Sequence, residues 1–576
     1  MERLETKRIH GHTYYYFSSW ARVDGKSRRV WQKYLGKLED IVRAVDGGGP
    51  APSFAQVFRF GLPQTLWQEC CRAGVSDSID RHCRRKREQG LGTGQYLAIA
   101  AINRAIRPHS KRSMWQWFSD TILLRQLPQA SAAALTSQRF WDHMERIDAP
   151  AASTIWQEIL KGVVGREQLD LSSICYDGTN FYTFIDTFNS HCPIAQRGKN
   201  KQGRNNLRQV SYALFCCGDG QLPLFYEVYE GNRNDAKQFP AMLERFRKFF
   251  RDLSGDAQAQ PDTTLIFDKG NNSHDNFQLL DGLPLSYVGS VKLDEHKDLA
   301  VVPNSDPRFQ ASPQHPEGTK SFRDKQQVYG KERVLVVTYN QNLFHTQWLT
   351  LQNDVRQALA RLGALRGRLE DRRAGLIQGG RAPSQASIDK QCREILRRQH
   401  LKRLIRFSSR AAADGPPHLE YSLDTNAQQE ICETYLGKTI LITDREPWDD
   451  ARIIRAYRSQ FLIEGVFREM KHRDTGNWWP MFHWTDSKIR VHALYCTIAL
   501  LLRGLAWRRV RQQGVNISMK RFLTELDAIR EVVTIYPPRR KQKSQRTQTV
   551  LTETSALQQR LMSILGLKQE GNQVLG

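Results

Sequence analysis

The stretch "SSICYDGTNFYTF", residues 172–184, places an aspartate, Asp177, directly after a run that is typical of a buried strand. A second stretch, "TTLIFDKGN" at 263–271, places Asp268 in the same position. A carboxylate at the end of a buried strand costs free energy unless it is paired, hydrogen-bonded or bound to a metal ion. Each aspartate alone also fits a turn, so the sequence leaves a turn role open for both.

The segment between residues 170 and 292 predicts the fold class. Two further strand-like runs, "RQVSYALFCCG" and "LPLFYEVYEGN", follow the first aspartate strand, and apolar residues then recur at spacings of three and four from Phe239 to Leu253. The second aspartate strand, a short helix and the strand "LSYVGSVK" complete the order. Three strands, a helix, a strand, a helix and a strand predict an α/β domain, with a mixed sheet flanked by helices.

A third carboxylate lies in "AYRSQFLIEGVFREMK", residues 456–471, which is predicted to be one helix. At 100° per residue, Tyr457, Gln460, Glu464 and Lys471 share one narrow face beside an apolar face. This polar face therefore lies at the edge of a groove, or else it is a solvated surface on which the charged side chains pair with one another. Asp177, Asp268 and Glu464 together offer three hard oxygen ligands, which is what a pair of Mg²⁺ ions requires.

The overall composition indicates a polyanionic partner. The 576 residues include 85 Lys and Arg against 60 Asp and Glu, a net charge of +25, so nucleic acid is the first candidate and a membrane surface the second. The most apolar window, "ALYCTIALLL" at 493–502, is about half the length that spans a bilayer and is predicted to be a buried helix. The first residues contain no apolar run, so no signal peptide is expected and a cytoplasmic location follows.

Cysteine spacing argues against a structural metal. The ten cysteines include no C-x-x-C pair, and the cluster Cys70, Cys71, His82 and Cys83 matches no standard zinc finger.

The chain is long enough for several domains. Residues 1–46 are predicted as a β-hairpin region that turns at Asp24 and Gly25, and 54–167 as a helical region that binds DNA, although an ordinary basic bundle fits equally well. Residues 168–292 and 444–510 are predicted as the first and second parts of a catalytic core. Between them, 293–443 is predicted as an insertion with strands at 333–351 and 418–443 and a basic helical hairpin. Residues 511–576 are predicted as a basic helical region with a loop at 537–549.

These residues carry a resemblance over roughly 170–505. The chain resembles the DDE transposases of bacterial insertion sequences, in the subgroup with a Y-(2)-R-(3)-E-(6)-K signature around the catalytic glutamate. The likeness includes "YDGTNFY" at 176–182, "EGN" at 230–232 and "FHWTDSKIRVHALYCTIALLL" at 482–502. The signature positions are Tyr457, Gln460, Glu464 and Lys471, so glutamine stands where the family has arginine. Arg468, one turn beyond Glu464, is predicted to supply the missing cation.

The resemblance implies a ribonuclease-H-like core in which Asp177, Asp268 and Glu464 hold two Mg²⁺ ions, with Mn²⁺ as a substitute. It implies cleavage and joining of DNA by in-line phosphoryl displacement, with the terminal inverted repeats and target DNA as partners and a homodimer or larger assembly on paired ends. Residues expected to contact DNA are Tyr457, Gln460, Arg468 and Lys471, and a basic loop with Lys199, Lys201, Arg204 and Arg208, for which a solvated loop is the alternative. A nuclease without joining activity and an inactive DNA-binding descendant are the rival functions.

Overall fold

A computed structural model gives the fold and describes residues 2–23, 25–46, 52–83, 90–200, 202–219, 221–254, 262–380, 382–412, 415–472, 476–537 and 546–568. The strands are β1 (Glu2–Ile9), β2 (His12–Val23), β3 (Lys26–Gly36), β4 (Phe54–Arg59), β5 (Ser173–Tyr182), β6 (Gln196–Arg197), β7 (Arg208–Cys217), β8 (Pro223–Glu230), β9 (Thr264–Ile266), β10 (Ser286–Val291), β11 (Gln310–Ala311), β12 (Thr319–Val328), β13 (Lys331–Asn340), β14 (Ile405–Arg410), β15 (His418–Leu423), β16 (Lys438–Thr443), β17 (Arg530–Tyr536) and β18 (Arg546–Leu551).

The α-helices are α1 (Leu38–Asp46), α2 (Gly61–Arg72), α3 (Val75–His82), α4 (Thr93–Ile106), α5 (Met114–Ser119), α6 (Leu123–Gln126), α7 (Ser137–Met144), α8 (Ala149–Glu167), α9 (Asp235–Ser254), α10 (His274–Asp281), α11 (Lys297–Ala300), α12 (Gln341–Arg373), α13 (Gln385–Ile395), α14 (Leu401–Leu404), α15 (Thr425–Thr434), α16 (Asp450–Arg458), α17 (Gln460–Lys471), α18 (Asp486–Gln512), α19 (Met519–Ala528) and α20 (Ala556–Leu565).

A large mixed sheet forms the centre of the molecule. Its strand order is β11-β12-β13-β16-β10-β9-β5-β7-β6, and β8 also pairs with β7. Strand β9 runs parallel to both β5 and β10, whereas β7 is antiparallel to β5 and β8 is antiparallel to β7. The predicted element order between 170 and 292 and the predicted mixed sheet flanked by helices are confirmed.

Both faces of this sheet are covered, and this explains why its strands contain near-continuous apolar runs. All ten residues of β7 are buried. On one face, Tyr176 of β5 packs on Phe239 of α9, with ring centres 5.1 Å apart. On the opposite face, Tyr212 of β7 bonds to Thr497 of α18 at 2.7 Å and its ring approaches Phe467 of α17.

The region 293–443 differs from the predicted insertion. Strands β12, β13 and β16 extend the central sheet through β16–β10 pairing, so the sheet continues past residue 293. The predicted strand at 333–351 ends at Asn340, whose side chain caps α12 by accepting a hydrogen bond from the Leu343 amide at 2.9 Å. The helical part has a separate hydrophobic core that extends from Leu351 to Leu436.

The helical region 54–167 begins with a strand rather than a helix. Strand β4 pairs antiparallel with β17, with Phe54 opposite Ile535, and β17 pairs in turn with β18. The carboxy-terminal region is therefore partly β: of the predicted loop at 537–549, residues 546–549 lie in β18 and 538–545 lie outside the described residues. Helices α2 to α8 share one hydrophobic core with α18 and the central sheet.

Helix α18 confirms the predicted buried helix. Within the described residues it is the one helix long and apolar enough to cross a membrane, and 94% of its apolar window is buried inside the protein. By length and composition the core helix of a folded domain passes the same test, and the burial of α18 identifies it as a core helix.

The amino-terminal strands form a separate three-stranded sheet in the order β1-β2-β3. The predicted hairpin is confirmed, because β2 and β3 pair antiparallel up to Val23 and Lys26. Strand β1 was not predicted, since "ERLETKRI" is mostly polar and lacks the apolar alternation of a half-buried strand.

Candidate active site

The register of two neighbouring strands brings Asp177 and Asp268 together. In the parallel β5–β9 pair, Ser173 lies opposite Thr264 and Cys175 opposite Ile266. The same offset places Asp177 beside Asp268, two residues beyond the last paired position, and adjacent strands lie about 4.8 Å apart. Both aspartates are partly exposed; Asp177 lies within β5 rather than after it as the sequence predicted, and Asp268 follows the end of β9. The sequence prediction that these carboxylates share one place is consistent with this register.

Helix α17 crosses the sheet face to which Asp177 belongs. Side chains alternate along a strand, so Cys175, Asp177 and Thr179 point to the same side. Cys175 Sγ lies 3.4 Å from Ser459 Oγ just before α17, and Lys471 at its end donates a hydrogen bond to Thr179. These two contacts lie on either side of Asp177 along β5. Glu464 lies between them on α17, so it is at about the same position along the strand as Asp177.

A tyrosine and a serine hold the second aspartate. The Tyr457 hydroxyl donates to Ser290 Oγ at 2.8 Å and lies 3.4 Å from Asp268 Oδ1, and Ser290 Oγ is also 3.4 Å from that oxygen. Burial and the nearby negative charges of Asp268 and Glu464 raise the pKa of Tyr457 to about 12. Tyr457 is therefore a neutral hydrogen-bond donor beside the Asp268 carboxylate.

Ser290 is a site residue that the sequence reasoning missed. It lies on β10, which pairs parallel with β9 so that the same register places it beside Asp268. Its signal was a serine within the buried part of "SYVGSV", since a polar side chain inside an apolar strand needs a partner.

The predicted helix 456–471 is two helices. Helix α16 ends at Arg458, α17 begins at Gln460, and the hydroxyl of Ser459 between them donates to the Ala456 carbonyl at 2.6 Å. Tyr457 and Glu464 therefore belong to different helices, and their proximity comes from tertiary contacts rather than from a shared helix face. The break also changes the prediction for Gln460, which is only 6% exposed and does not offer its side chain to DNA.

On α17 itself the polar face is shorter than predicted but includes the expected cations. Glu464 and Arg468 are exposed one turn apart, and Lys471 is partly exposed a further turn along. Among the described residues, Arg468 has no hydrogen-bond or ion-pair partner. The predicted inner face is confirmed, because Ile463, Phe467 and Met470 are buried.

The basic loop after β5 divides into two kinds of residue. Lys199 and Arg204 are exposed, and the Arg204 guanidinium lies 4.9 Å from the ring centre of Tyr182, which stacks on Trp479 at 4.4 Å. Lys201 lies outside the described residues. Lys199 and Arg204 thus line the continuation of β5 beyond Asp177.

Arg208 does not fit the predicted DNA contact. Its buried guanidinium donates to four backbone carbonyls, those of Asp186, Asn189, Cys192 and Ala195, at 2.5–2.8 Å. A cation whose donors are engaged in this way holds the loop 186–195 in place and is not available to phosphate.

Behind the site, the loop after α17 is fixed by the helical region. Trp478 is fully buried and stacks on Phe181 with ring centres 4.0 Å apart. Arg104 of α4 donates to the Pro480 carbonyl at 2.7 Å, and Lys111 donates to Tyr495 of α18 at 2.7 Å. Two basic residues of the region predicted to bind DNA are therefore turned inward and support the site from behind.

The donor set suits a hard cation. Three carboxylates on one face of the sheet supply oxygen ligands of the kind Mg²⁺ prefers, with room left for water and phosphate oxygens. Among the described residues, however, no three His, Cys, Asp or Glu side chains already lie as a metal-binding group. Glu464 is exposed on α17, so its side chain is free to change rotamer. The cluster near Cys70 is not a metal site in these residues, since His82 pairs with Glu158 at 2.5 Å.

One comparison with known proteins identifies a family. A family model described as "Transposase DDE domain" matches residues 170–502, which include all three carboxylates. The chain belongs to this transposase family. No curated protein sequence matches it. Among solved structures it is similar to a piggyBac transposase synaptic complex with hairpin DNA, with a TM-score of 0.36 and 10% identity over 80% of this chain and 79% of that chain.

Proposed function

We propose that this protein is the transposase of a bacterial insertion sequence, in the subgroup with the Y-(2)-R-(3)-E-(6)-K signature, and that it cuts and joins DNA strands. The observation that carries the proposal is the common register that sets Asp177 and Asp268 side by side, beneath the helix that bears Glu464. Residues so far apart in the sequence are brought to one place only by the fold. This favours a shared role for the three carboxylates over a separate local role, such as forming a turn, for each of them.

The strand order supports a ribonuclease-H-like catalytic core. Strands β5, β7 and β8, with only the two-residue β6 between the first two, are antiparallel neighbours, and β9 and β10 then add in parallel on the other side of β5. Asp177 lies on the central strand of this set and Asp268 follows the strand next to it. This is the arrangement implied by the resemblance, in which two acidic residues on adjacent strands meet a third from a later helix.

The site residues have distinct tasks in the proposed reaction. Divalent ions held by Asp177, Asp268 and Glu464 would activate the attacking hydroxyl and stabilise the leaving oxygen in an in-line displacement at phosphorus. Tyr457 and Ser290 orient the Asp268 carboxylate through their hydroxyl groups. Arg468 and Lys471 place positive charge on the exposed side of α17, where a DNA phosphate would lie.

Duplex DNA is the proposed partner, with assembly on paired ends as the family resemblance implies. The net charge of +25 supports attraction to a polyanion, and the expected affinity therefore falls steeply with added salt through counterion release. The bacterial cytoplasm, in association with the nucleoid, is the proposed location.

The test uses the full chain and a plasmid that carries the element's own terminal repeats. Asp177→Asn, Asp268→Asn and Glu464→Gln are each expected to lower cleavage by roughly a thousandfold or more in Mg²⁺ or Mn²⁺, while binding to the ends stays within about twofold. Asp275→Asn is the matched control, because this exposed aspartate on α10 lies only seven residues from Asp268 and away from the shared face.

Two outcomes would change the proposal. Full cleavage by any one carboxylate variant removes that residue from the site. A wild-type enzyme that cuts the ends but never joins a 3′-hydroxyl end to target DNA would be a nuclease, so joined products are measured alongside cut ones.

A further inference from the structure

We propose that the N-terminal sheet, formed by β1, β2 and β3, is a separate DNA-docking module that lays one defined face against duplex DNA. This inference rests on the proposed function, since it names the surface that holds the DNA on which the active site acts. It also moves DNA docking away from the helical region 54–167, where the sequence predicted it.

The N-terminal sheet is structurally independent of the catalytic body. Among the side chains that the structure describes, none from residues 2–42 belongs to either hydrophobic core. The side-chain hydrogen bonds and ion pairs described for it, such as those from Arg3, Ser18 and Gln32 to Glu5, run within the sheet. A module of this kind is present for its surface rather than to support the core.

The charge of this surface selects a polyanion. Residues 2–36 contain eight Lys and Arg and three Asp and Glu. The described cations on these strands are largely exposed, and Glu5, one of the acids, is occupied by partners inside the sheet. The uncompensated positive charge is therefore concentrated in about three dozen residues that contribute little to the hydrophobic core.

The strand register separates two faces. Residues directly opposite each other share a face, so Arg3, Glu5 and Lys7 lie with Ser18, Tyr16 and Tyr14, and Trp20 lies with Arg29. We call this the Arg–Tyr face, and its members are Arg3, Glu5, Lys7, Tyr14, Tyr16, Ser18, Trp20, Arg22, Arg29, Gln32 and Tyr34. The opposite face has Leu4, Phe17 and Trp31 among Arg8, Arg28 and Lys33.

The Arg–Tyr face is pre-organised. Glu5 accepts hydrogen bonds from Trp20 Nε1 at 2.7 Å and from Arg3 Nε at 3.0 Å, which fixes both side chains. Three cations lie over aromatic rings: Arg3 at 4.5 Å and Arg29 at 5.8 Å from Trp20, and Lys7 at 5.0 Å from Tyr16. Cations that are already ordered lose less conformational freedom on binding, so they hold phosphates at a lower entropic cost.

Duplex DNA fits this face better than another protein surface does. Arginine, lysine and tyrosine side chains are the usual donors to phosphate oxygens, and β-strands are known to enter DNA grooves. The opposite face, with its exposed Leu4 and Trp31, offers the apolar area that a protein partner would use. The two faces of one sheet thus differ in chemistry while each has a similar number of cations.

The test compares two triple variants of the full chain with equal charge changes. Lys7→Gln/Arg22→Gln/Arg29→Gln alters the Arg–Tyr face, and Arg8→Gln/Arg28→Gln/Lys33→Gln alters the opposite face. Binding to a short duplex of arbitrary sequence, and to one with the element's terminal repeat, is followed by fluorescence anisotropy across a salt series. The first variant is expected to lose tenfold or more in affinity, with the log–log salt slope reduced by about one unit per cation, and the second about threefold or less.

A conservative variant distinguishes lost contacts from a lost fold. Lys7→Arg/Arg22→Lys/Arg29→Lys keeps the charges and is expected to bind within about threefold of the wild type. Equal losses in the two Gln variants would overturn the assignment of the face. Unchanged DNA binding with an altered molecular mass in light scattering would overturn the proposal in favour of a surface for a second copy of this chain.

The result is separable from that of the proposed function. If the wild type cuts and joins DNA but the first Gln variant binds normally, the docking proposal fails and the transposase proposal stands. If the wild type binds through the Arg–Tyr face but neither cuts nor joins, the reverse holds. Asp275→Asn, the matched control, is expected to bind like the wild type in both cases.

Discussion

The two principal sheets of this protein differ in burial and in what their polar residues indicate. Strands β5, β7, β9 and β10 of the ten-stranded sheet are largely buried and therefore mostly apolar, and polar residues in these runs, such as Asp177 and Ser290, mark the candidate active site. The N-terminal sheet is largely exposed, and its strands mix charged and polar residues with exposed apolar ones such as Leu4 and Trp31. In that sheet a charged residue alone does not indicate a functional site. The informative feature is the set of side chains that hydrogen-bond to one another, as those around Glu5 do.

The largest expected difference between the two sheets is in stability. Leu265→Ala in β9 removes a side chain that is 0% exposed, and a cost of about 2–5 kcal/mol is expected because a cavity is left in a packed core. Leu4→Ala in β1 removes a side chain that is 56% exposed, and a change within about 0.5 kcal/mol is expected. Thermal unfolding midpoints of the two variants, measured at one protein concentration, test this. Similar shifts would show that the N-terminal sheet is part of the main cooperative unit.

The next difference concerns ionisation. In the layer covering the ten-stranded sheet, burial, with the nearby charge of Arg104, holds the pKa of Lys111 well below its usual range. An unfolded lysine binds a proton up to about pH 10.4, so unfolding takes up a proton and stability rises as pH increases towards that value. Lys111→Met is expected to remove this rise, up to about 1.4 kcal/mol per pH unit, in unfolding midpoints measured between pH 7.5 and 9.5.

The control for the Lys111 prediction is Lys488→Met, which alters a lysine that pairs with Glu145, the residue after α7, without being surrounded by the buried network. That variant is expected to keep the wild-type slope. An unchanged slope in Lys111→Met would show that this ammonium group is charged in the folded protein.

The smallest expected effect is local to the N-terminal sheet. Removal of the Glu5 carboxyl from water raises its pKa, but hydrogen bonds from Trp20, Arg3 and Ser18 outweigh this effect, and the pKa is lowered. Its contribution is therefore present above the ordinary glutamate pKa and is lost as pH falls through the lowered value. Glu5→Gln at neutral pH is expected to speed amide hydrogen exchange in β1–β3 by about tenfold, because the Arg3 and Arg29 charges lose their partner.

Exchange in the ten-stranded sheet should not change in the Glu5 variant. A matched Glu2→Gln variant, on the opposite face of the same strand, is expected to leave both sheets as they are. Faster exchange throughout the molecule would mean that the N-terminal sheet is coupled to the core after all.

The sequence predicted the parts of the fold that are set by the spacing of apolar residues along the chain. The strand order from 170 to 292 and the buried helix at 493–502 follow from local patterns, because a sheet or helix buried on all sides must be apolar along its length. The site prediction benefited from the same rule: Asp177 and Asp268 are visible because they interrupt such runs.

The remaining features depend on tertiary contacts that have no local signal. The break at Ser459 is favoured by its contacts with Ala456 and Cys175, so the helical wheel through Tyr457 and Gln460 gave a face that does not exist as one surface. Arg208 looks like any loop cation in the sequence, and only the fold directs it to four carbonyls. Strand β12 is mostly polar and β13 contains the apolar run from Val334 to Val337, and neither pattern reveals which sheet the strands join.

The pairing of β4 with β17 has a consequence for how the protein is made. During synthesis, Phe54 to Arg59 leave the ribosome more than four hundred residues before the strand that they will pair with. Helices α2 to α8 can collapse early, but their edge stays open until Arg530 to Tyr536 have been translated. A nascent or truncated chain therefore exposes an unpaired strand even when its catalytic residues are complete, which makes translation of the last segments a checkpoint for the finished molecule.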